Sequence, residues 1–176
     1  MKRTWLLIGL LIACMLAGCS NDDKSKATKI VEFPSYFFEG MTEEEIKQDA
    51  KNSDASRAEF LEDGQVRYYY TDKNFQAKLK DIEDSLKSYL GDVIVNDDYP
   101  SIVNASANKD YSVLTFVVDK DLYTAGQDHL AVVGIGISAT YYQLFLGKEP
   151  LQVTAKVVDS VTAQSIETLN FPDEIQ

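Results

Sequence analysis

Residues 72–91 read DKNFQAKLKDIEDSLKSYLG and show the most regular hydrophobic pattern in the chain. Apolar side chains recur there at helical spacing, with lysines and acidic residues between them: Phe75, Leu79, Ile82, Leu86 and Leu90. This spacing predicts an amphipathic helix that packs one face against a core. Asp72 suits the N-cap position and Gly91 suits the C-cap position, so we expect the helix to lie between them.

Patterns typical of β-hairpins flank this helix on both sides. Before it, the extended runs 58–62 and 65–71 surround Asp63-Gly64, a dipeptide that suits a type I′ turn. After it, the runs 102–106 and 111–119 surround a polar turn at 107–110. The helix therefore connects two predicted hairpins.

The same alternation extends towards both ends of the chain. Thr42 and Glu45 have the spacing of a capping box, which predicts a helix to about Lys51. A third helical pattern covers 122–146, and strand patterns follow at 151–157 and 165–171. Helix and hairpin thus alternate three times. We expect an α+β fold of three αββ units, forming one antiparallel sheet of up to six strands with the helices on one face.

The N-terminus has the layout of a secretory signal peptide. Lys2 and Arg3 precede an uncharged apolar run at 5–17, which is short for a transmembrane helix. Leu16-Ala17-Gly18-Cys19 then resembles the lipobox of bacterial lipoproteins. The resemblance implies cleavage between Gly18 and Cys19, with a diacylglycerol on the Cys19 thiol. The alternative is an ordinary signal peptide with a chance cysteine.

This interpretation divides the chain into three parts. Residues 1–18 are the signal peptide, 19–29 the lipidated cysteine with a polar, flexible tether, and 30–176 a single α+β domain. The expected location is the extracytoplasmic face of the cell membrane, where acyl chains hold the protein.

Composition excludes several classes of function. The 176 residues carry a net charge of -11, and loss of residues 1–18 leaves -13, so sequence-independent nucleic-acid binding is not expected. With two cysteines and one histidine, multi-cysteine and multi-histidine metal sites are excluded. We expect no metal, no cofactor and no disulfide in the processed protein.

Candidate catalytic and cofactor motifs are weak. His129 has an acidic neighbour, Asp128, but the chain has no nucleophile-elbow sequence. The segment 134–139, GIGISA, fits G-x-G-x-x-A, with Asp159 further on, although it lies inside a helical pattern. We expect Gly134 and Ser138 to allow close packing of the helix on the sheet instead.

Binding candidates are the aromatic and acidic clusters. In the run Tyr68-Tyr69-Tyr70, strand alternation places Tyr69 on the face opposite its neighbours, so it is a candidate ligand-stacking residue. The pairs Asp97-Asp98 and Glu62-Asp63 lack the spacing of a calcium loop and are expected in solvated turns. The apolar segment 130–146 is expected to be a core helix and not a membrane span.

Three segments carry a further resemblance: 33–45 (FPSYFFEGMTEEE), 141–145 (YYQLF) and 171–173 (FPD). Together they resemble a group of small, uncharacterised lipoproteins of Gram-positive bacteria. The resemblance implies the anchor and the compartment but no activity. We therefore expect a binding module for an envelope protein or glycan, with two alternatives: a carboxylate-dependent envelope hydrolase, or an inhibitor or immunity protein.

Overall fold

A computed structural model describes residues 27–175 of the chain. The helices there are α1 (Glu43–Asn52), α2 (Asp72–Val95), α3 (Lys120–Ala125) and α4 (His129–Phe145). The strands are β1 (Lys29–Phe33), β2 (Arg57–Phe60), β3 (Val66–Tyr70), β4 (Ile102–Ala107), β5 (Val113–Val118), β6 (Val153–Asp159) and β7 (Ser165–Phe171). The α+β class and the order of helices and strand pairs agree with the sequence analysis, with β1 added in front.

The described strands form two sheets, so the predicted single six-stranded sheet is wrong. Sheet A has the order β1-β3-β2, and sheet B has the order β4-β5-β6-β7. In sheet A, β1 pairs with the side of β3 that β2 leaves free, which leaves β3 no edge for a further strand. Lys29, which the sequence placed in the tether, is the first residue of β1.

Sheet B also differs from the predicted antiparallel arrangement. β5 and β6 run parallel, from Val113 opposite Thr154 to Val118 opposite Asp159. A parallel pair needs a long crossover connection, and α3 and α4 provide it. The two hairpins, β4-β5 and β6-β7, are antiparallel as expected.

Both ends of α2 differ from the predicted cap positions. Thr71, not Asp72, caps α2: its side chain accepts a hydrogen bond from the Asn74 amide at 3.1 Å. α2 continues through Gly91 to Val95, because the apolar spacing also continues to the buried Val93. The expected C-cap glycine is therefore an exposed position inside the helix.

The third predicted helix is divided at Gly126 into α3 and α4. The Gly126 amide donates to the carbonyl of Leu122 at 2.9 Å, and its extended backbone ends α3. Asp128 then stands before α4, buried at 5% exposure. Its carboxylate accepts from the Ser101 amide at 2.8 Å and from the Ser101 hydroxyl at 2.5 Å, which ties the start of α4 to the start of β4.

Two local predictions have different outcomes. The capping box at α1 is confirmed, since the Thr42 amide donates to Glu45 at 2.8 Å and the Glu45 amide donates to the Thr42 hydroxyl at 3.4 Å. The type I′ turn is wrong. It requires a positive φ at both central residues, but in Asp63-Gly64 only Gly64 has one, at 83°. The Asp63 carboxylate instead accepts from the Gln65 amide at 3.1 Å.

Two hydrophobic clusters fill the interior, one against each sheet. The cluster on sheet A includes Val31, Phe33, Tyr68, Tyr70 and Phe145. The cluster on sheet B is built from α2, α4 and the inward side chains of β4 to β7. Leu79 and Ile82 of α2 pack against both clusters, so α2 and α4 join the two halves of the domain.

Candidate functional site: the groove between α2 and α4

The predicted processing residues, Gly18 and Cys19, lie outside the described residues. Tyr69, the predicted ligand residue, lies on the outer face of sheet A. The Arg57 guanidinium carbon is 3.4 Å from the centroid of the Tyr69 ring, and the Tyr69 hydroxyl donates to Glu59. One ring face and the hydroxyl are therefore already engaged within the protein.

The side chains around Tyr69 form a charge-balanced network. Arg67 donates to Glu32 at 2.6 Å, and this hydrogen bond raises the pKa of Arg67. The hydrogen bond from Tyr69 is the main cause that lowers the pKa of Glu59. The outer face of sheet A thus pairs its own cations and anions, across strands at Arg67 and within β2 at Arg57.

His129 does not belong to a catalytic arrangement, and the GIGISA segment serves helix packing. His129 is exposed, and its neighbour Asp128 is committed to Ser101. In the GIGISA segment, a Cβ built on Gly136 would lie 2.3 Å from two ring atoms of Phe171. α4 therefore packs closely on sheet B, as predicted. The residue that allows this packing is Gly136, whereas the prediction named Gly134 and Ser138.

Gly134 and Ser138 instead open a groove on the other side of α4. Apart from its two chain neighbours and the adjacent backbone of α4, no described atom lies within 4 Å of a Cβ built on Gly134. The Ser138 hydroxyl turns back to the Gly134 carbonyl at 2.9 Å, which keeps the side chain close to its own helix. These two small residues face α2, and space remains between the helices.

The groove has three sections that share residues at their boundaries. The distal section, of about 440 Å³, lies between the end of α2 and the start of α4: Tyr89, Asp92, Val93, Asn96, Tyr99, Leu130, Ala131, Gly134, Ile135 and Ser138. The middle section, of about 330 Å³, shares Tyr89 and Ser138 with it and adds Lys78, Asp81, Ile82, Ser85, Leu86, Ile137, Phe37 and Tyr141. The distal and middle sections therefore adjoin each other along α2.

The proximal pocket, of about 300 Å³, closes the other end of the groove. It is lined by Phe33, Phe37, Phe38, Met41, Asp49, Ser53, Lys78 and Tyr141. Phe33 contacts Phe37 and Tyr141 with ring centroids 6.1 Å and 5.5 Å away, which makes one aromatic wall. Asp49, near the end of α1, accepts from the buried Tyr68 hydroxyl at 2.7 Å.

Burial raises the pKa of the tyrosine hydroxyls near this pocket. Burial raises the pKa of Tyr141 to about 12, so its hydroxyl is neutral at physiological pH. Burial, followed by the hydrogen bond to Asp49, raises the pKa of Tyr68. The Tyr70 hydroxyl is fully buried and finds no hydrogen-bond partner within residues 27–175. The charged groups that line the proximal pocket are thus Asp49 and Lys78.

Each section of the groove contains one carboxylate: Asp92, Asp81 and Asp49. Asp81 and Asp92 lie on one helix and are about 16 Å apart along its axis at 1.5 Å per residue. Within the described residues, no three histidine, cysteine, aspartate or glutamate side chains come together as metal ligands. Glu62, Asp63, Asp97 and Asp98 are exposed.

Sequence reasoning missed the groove, although a signal was present. Beside the apolar stripe of α2 runs a second stripe at helical spacing: Lys78, Asp81, Ser85, Tyr89, Asp92 and Asn96. It mixes charges, hydroxyls and an exposed tyrosine. Such a stripe is also typical of a solvated helix face, so the pattern alone does not reveal a partner helix beside it.

Comparison with family models, with curated proteins and with solved structures gives no match for this chain. Among the described residues, no helix combines the length and apolar character that crossing a membrane requires. The interpretation of the groove therefore depends on its own residues.

Proposed function

We propose that the chain is a lipid-anchored, extracytoplasmic binding protein that holds a cationic peptide segment with apolar side chains in the groove between α2 and α4. The observation that carries this proposal is the groove itself, with Asp92 in its distal section and Asp81 in its middle section. The anchor is inferred from residues 1–19 of the sequence, and the surface from the described residues.

The composition of the groove supports a peptide ligand. Tyr89 and Leu130 are 49% and 57% exposed in the distal section, so both offer apolar surface to a partner. Asp81 and Asp92 add negative charge, in a chain whose net charge is -11. Basic groups on the ligand would complement these carboxylates and speed association.

The spacing of the carboxylates favours binding over hydrolysis. A glycosidase-type pair needs its carboxyl groups about 5–9.5 Å apart. Asp81 and Asp92 exceed that distance, and the described groove has a single carboxylate in each section. The same acidic groove is compatible with an inhibitor that covers a basic site on another protein.

Fluorescence anisotropy with two labelled peptides tests the groove. One peptide carries lysine and leucine on opposite faces, and the other carries glutamate in place of lysine. Gly134→Leu fills the distal section, where no described atom opposes a side chain, and Gly91→Leu is the matched control on an open position outside the groove. We expect the lysine peptide to bind the wild type and Gly91→Leu, and Gly134→Leu to weaken binding about tenfold or more.

Two results would contradict a cationic peptide ligand. One is equal affinity of the lysine peptide for the two leucine variants. The other is binding that does not change with salt concentration and that a soluble cell-wall oligosaccharide displaces, which would indicate a glycan ligand.

The anchor has a separate test. Cells that express the wild type are expected to incorporate labelled fatty acid into the protein, and cells that express Cys19→Ala are not. Label retained in Cys19→Ala would exclude the proposed attachment site.

A further inference from the structure

The proximal pocket differs from the rest of the groove because it combines opposite charges with aromatic walls. Asp49 comes from α1 and Lys78 from α2, and both line the same space of about 300 Å³. Asp49 and Lys78 do not form an ion pair with each other, since no pairing within 4.0 Å joins these two described residues. A ligand with both charges can therefore lie between them.

A hydrogen bond from sheet A holds the Asp49 side chain in position. The Tyr68 hydroxyl, on a fully buried ring of β3, donates to Asp49 Oδ2 at 2.7 Å. Tyr68 thereby fixes one carboxylate oxygen and leaves Oδ1 as an acceptor. A carboxylate oriented in this way is a suitable partner for an ammonium group, because hydrogen bonds between two charged groups are the stronger kind.

Lys78 is placed to meet the other charge. It stands where the proximal pocket meets the middle section of the groove, and it lines both. Its ammonium group carries three donors on a flexible stem, which suits a carboxylate whose position is set by the rest of the pocket.

The remaining wall is mostly aromatic, with Ser53 as a polar residue, and ring contacts order it. Phe33 is buried at 1% exposure, and its ring packs edge-on against Phe37 and Phe38 at 6.1 Å and 5.8 Å. Tyr141 lies 6.3 Å from Phe37. Met41 adds a thioether on the exposed side. Such a wall accepts an aromatic or aliphatic side chain.

We propose that the proximal pocket binds a free α-amino acid with an apolar side chain, with its ammonium group on Asp49, its carboxylate on Lys78 and its side chain against the partly exposed Phe37, Phe38 and Tyr141 rings. The site has no net charge, like the zwitterion it would hold. This inference does not rest on peptide binding elsewhere in the groove.

Isothermal titration of the full-length chain in detergent micelles tests the site with three probes. L-phenylalanine carries both charges, phenethylamine lacks the carboxylate, and 3-phenylpropionate lacks the ammonium group. We expect L-phenylalanine to bind at least tenfold more tightly than either truncated probe.

Two variants test which residue binds which charged group of the ligand. Each should weaken only the probes that carry the group of opposite charge to the residue replaced. Asp49→Asn keeps an acceptor for Tyr68, and we expect it to weaken L-phenylalanine and phenethylamine about tenfold without changing 3-phenylpropionate. Lys78→Gln should weaken L-phenylalanine and 3-phenylpropionate and leave phenethylamine unchanged. Lys73→Gln, an exposed position on α2 outside the groove, is the matched control and should change none of the three.

The proposal is overturned if L-phenylalanine gives no saturable heat at millimolar concentration with the wild type. It is also overturned if Asp49→Asn and Lys78→Gln weaken all three probes equally while both retain the wild-type unfolding midpoint. Gly134→Leu should leave L-phenylalanine binding unchanged, so a failure of the peptide groove and a failure of this pocket give different results.

Discussion

Aromatic residues make up half of the core against sheet A, four of its eight buried residues, whereas aliphatic residues predominate in the core against sheet B. α4 contributes to both, and its composition changes along its length. Val132, Ile135, Ala139 and Tyr142 pack in the core on sheet B, and Phe145 packs in the core on sheet A. Small residues let a helix approach a sheet closely, while rings fill a wider space. One helix thus contributes to the cores of both sheets.

The largest expected effect comes from a substitution that disrupts the close packing of α4 on sheet B. Gly136→Ala places a Cβ 2.3 Å from the buried Phe171 ring, so the ring or the helix must move. Overpacking of this kind destabilises by about 3 kcal/mol, at the upper end of the usual range. Urea unfolding measures the loss.

Gly134→Ala is the control, two positions earlier on the open side of the same helix. There we expect a gain of about 0.5–1 kcal/mol from helix propensity, since no described atom opposes the new methyl group. Equal stability of the two alanine variants would show that α4 is not tightly packed on sheet B.

The second effect compares two buried tyrosines of the aromatic core on sheet A. Tyr68→Phe removes the hydrogen bond to the Asp49 carboxylate, and we expect a loss of about 1.5 kcal/mol. Tyr70→Phe removes a buried hydroxyl that has no partner within residues 27–175, so we expect no loss, or a small gain. Thermal unfolding in parallel gives both values, and a larger loss for Tyr70→Phe would contradict the assigned hydrogen bonds.

The third effect tests whether the two halves open separately. Thr42→Ala removes the N-cap of α1, beside sheet A, and should cost about 1 kcal/mol. Amide hydrogen exchange should accelerate in α1 and remain unchanged in β5 and β6, because local openings involve local contacts. Thr42→Ser keeps the capping hydroxyl and should behave as the wild type; uniform acceleration in both sheets would indicate a single cooperative unit.

The smallest effect concerns the turn after β6 on sheet B. The hydroxyl of Thr162, followed by the amides of Val161 and Thr162, bonds the Asp159 carboxylate and lowers its pKa. A lowered folded-state pKa contributes stability above the unfolded pKa of about 3.9, and that stability is lost as the pH falls through the folded value.

Asp159→Asn should therefore be less stable than the wild type at pH 6, with a difference that narrows below about pH 4. Urea unfolding across this pH range measures the difference. A deficit that stays constant with pH would mean that the charge of Asp159 does not contribute.

The parts of the fold that local signals determine were predictable from the sequence. The periodicity of α2, the capping box of Thr42 and Glu45, and the alternation in 151–157 all correspond to elements in the structure. What the sequence could not show was pairing between distant segments. β1 is five residues long and pairs with β3 more than 30 positions later, so no hairpin signal marks it.

The candidate site shows the same limit. Gly134 and Ser138 correctly marked a place where α4 has little side-chain volume, but they could not show what lies opposite. The structure places Phe171 opposite Gly136 and an open groove opposite Gly134. Asp49 and Lys78 come from separate helices, and no sequence spacing relates them.

The parallel pairing of β5 and β6 has a consequence for the order of folding. Val113 lies opposite Thr154, ~40 positions later, whereas each hairpin of sheet B joins near neighbours. Closing so long a loop costs chain entropy before the contact is gained. The β4-β5 and β6-β7 hairpins are therefore expected to form first, each with an unpaired edge, and to meet only after α4 covers them. Until then β5 and β6 each expose a row of unpaired backbone amides and carbonyls beside apolar side chains. Partly folded copies would associate through these edges.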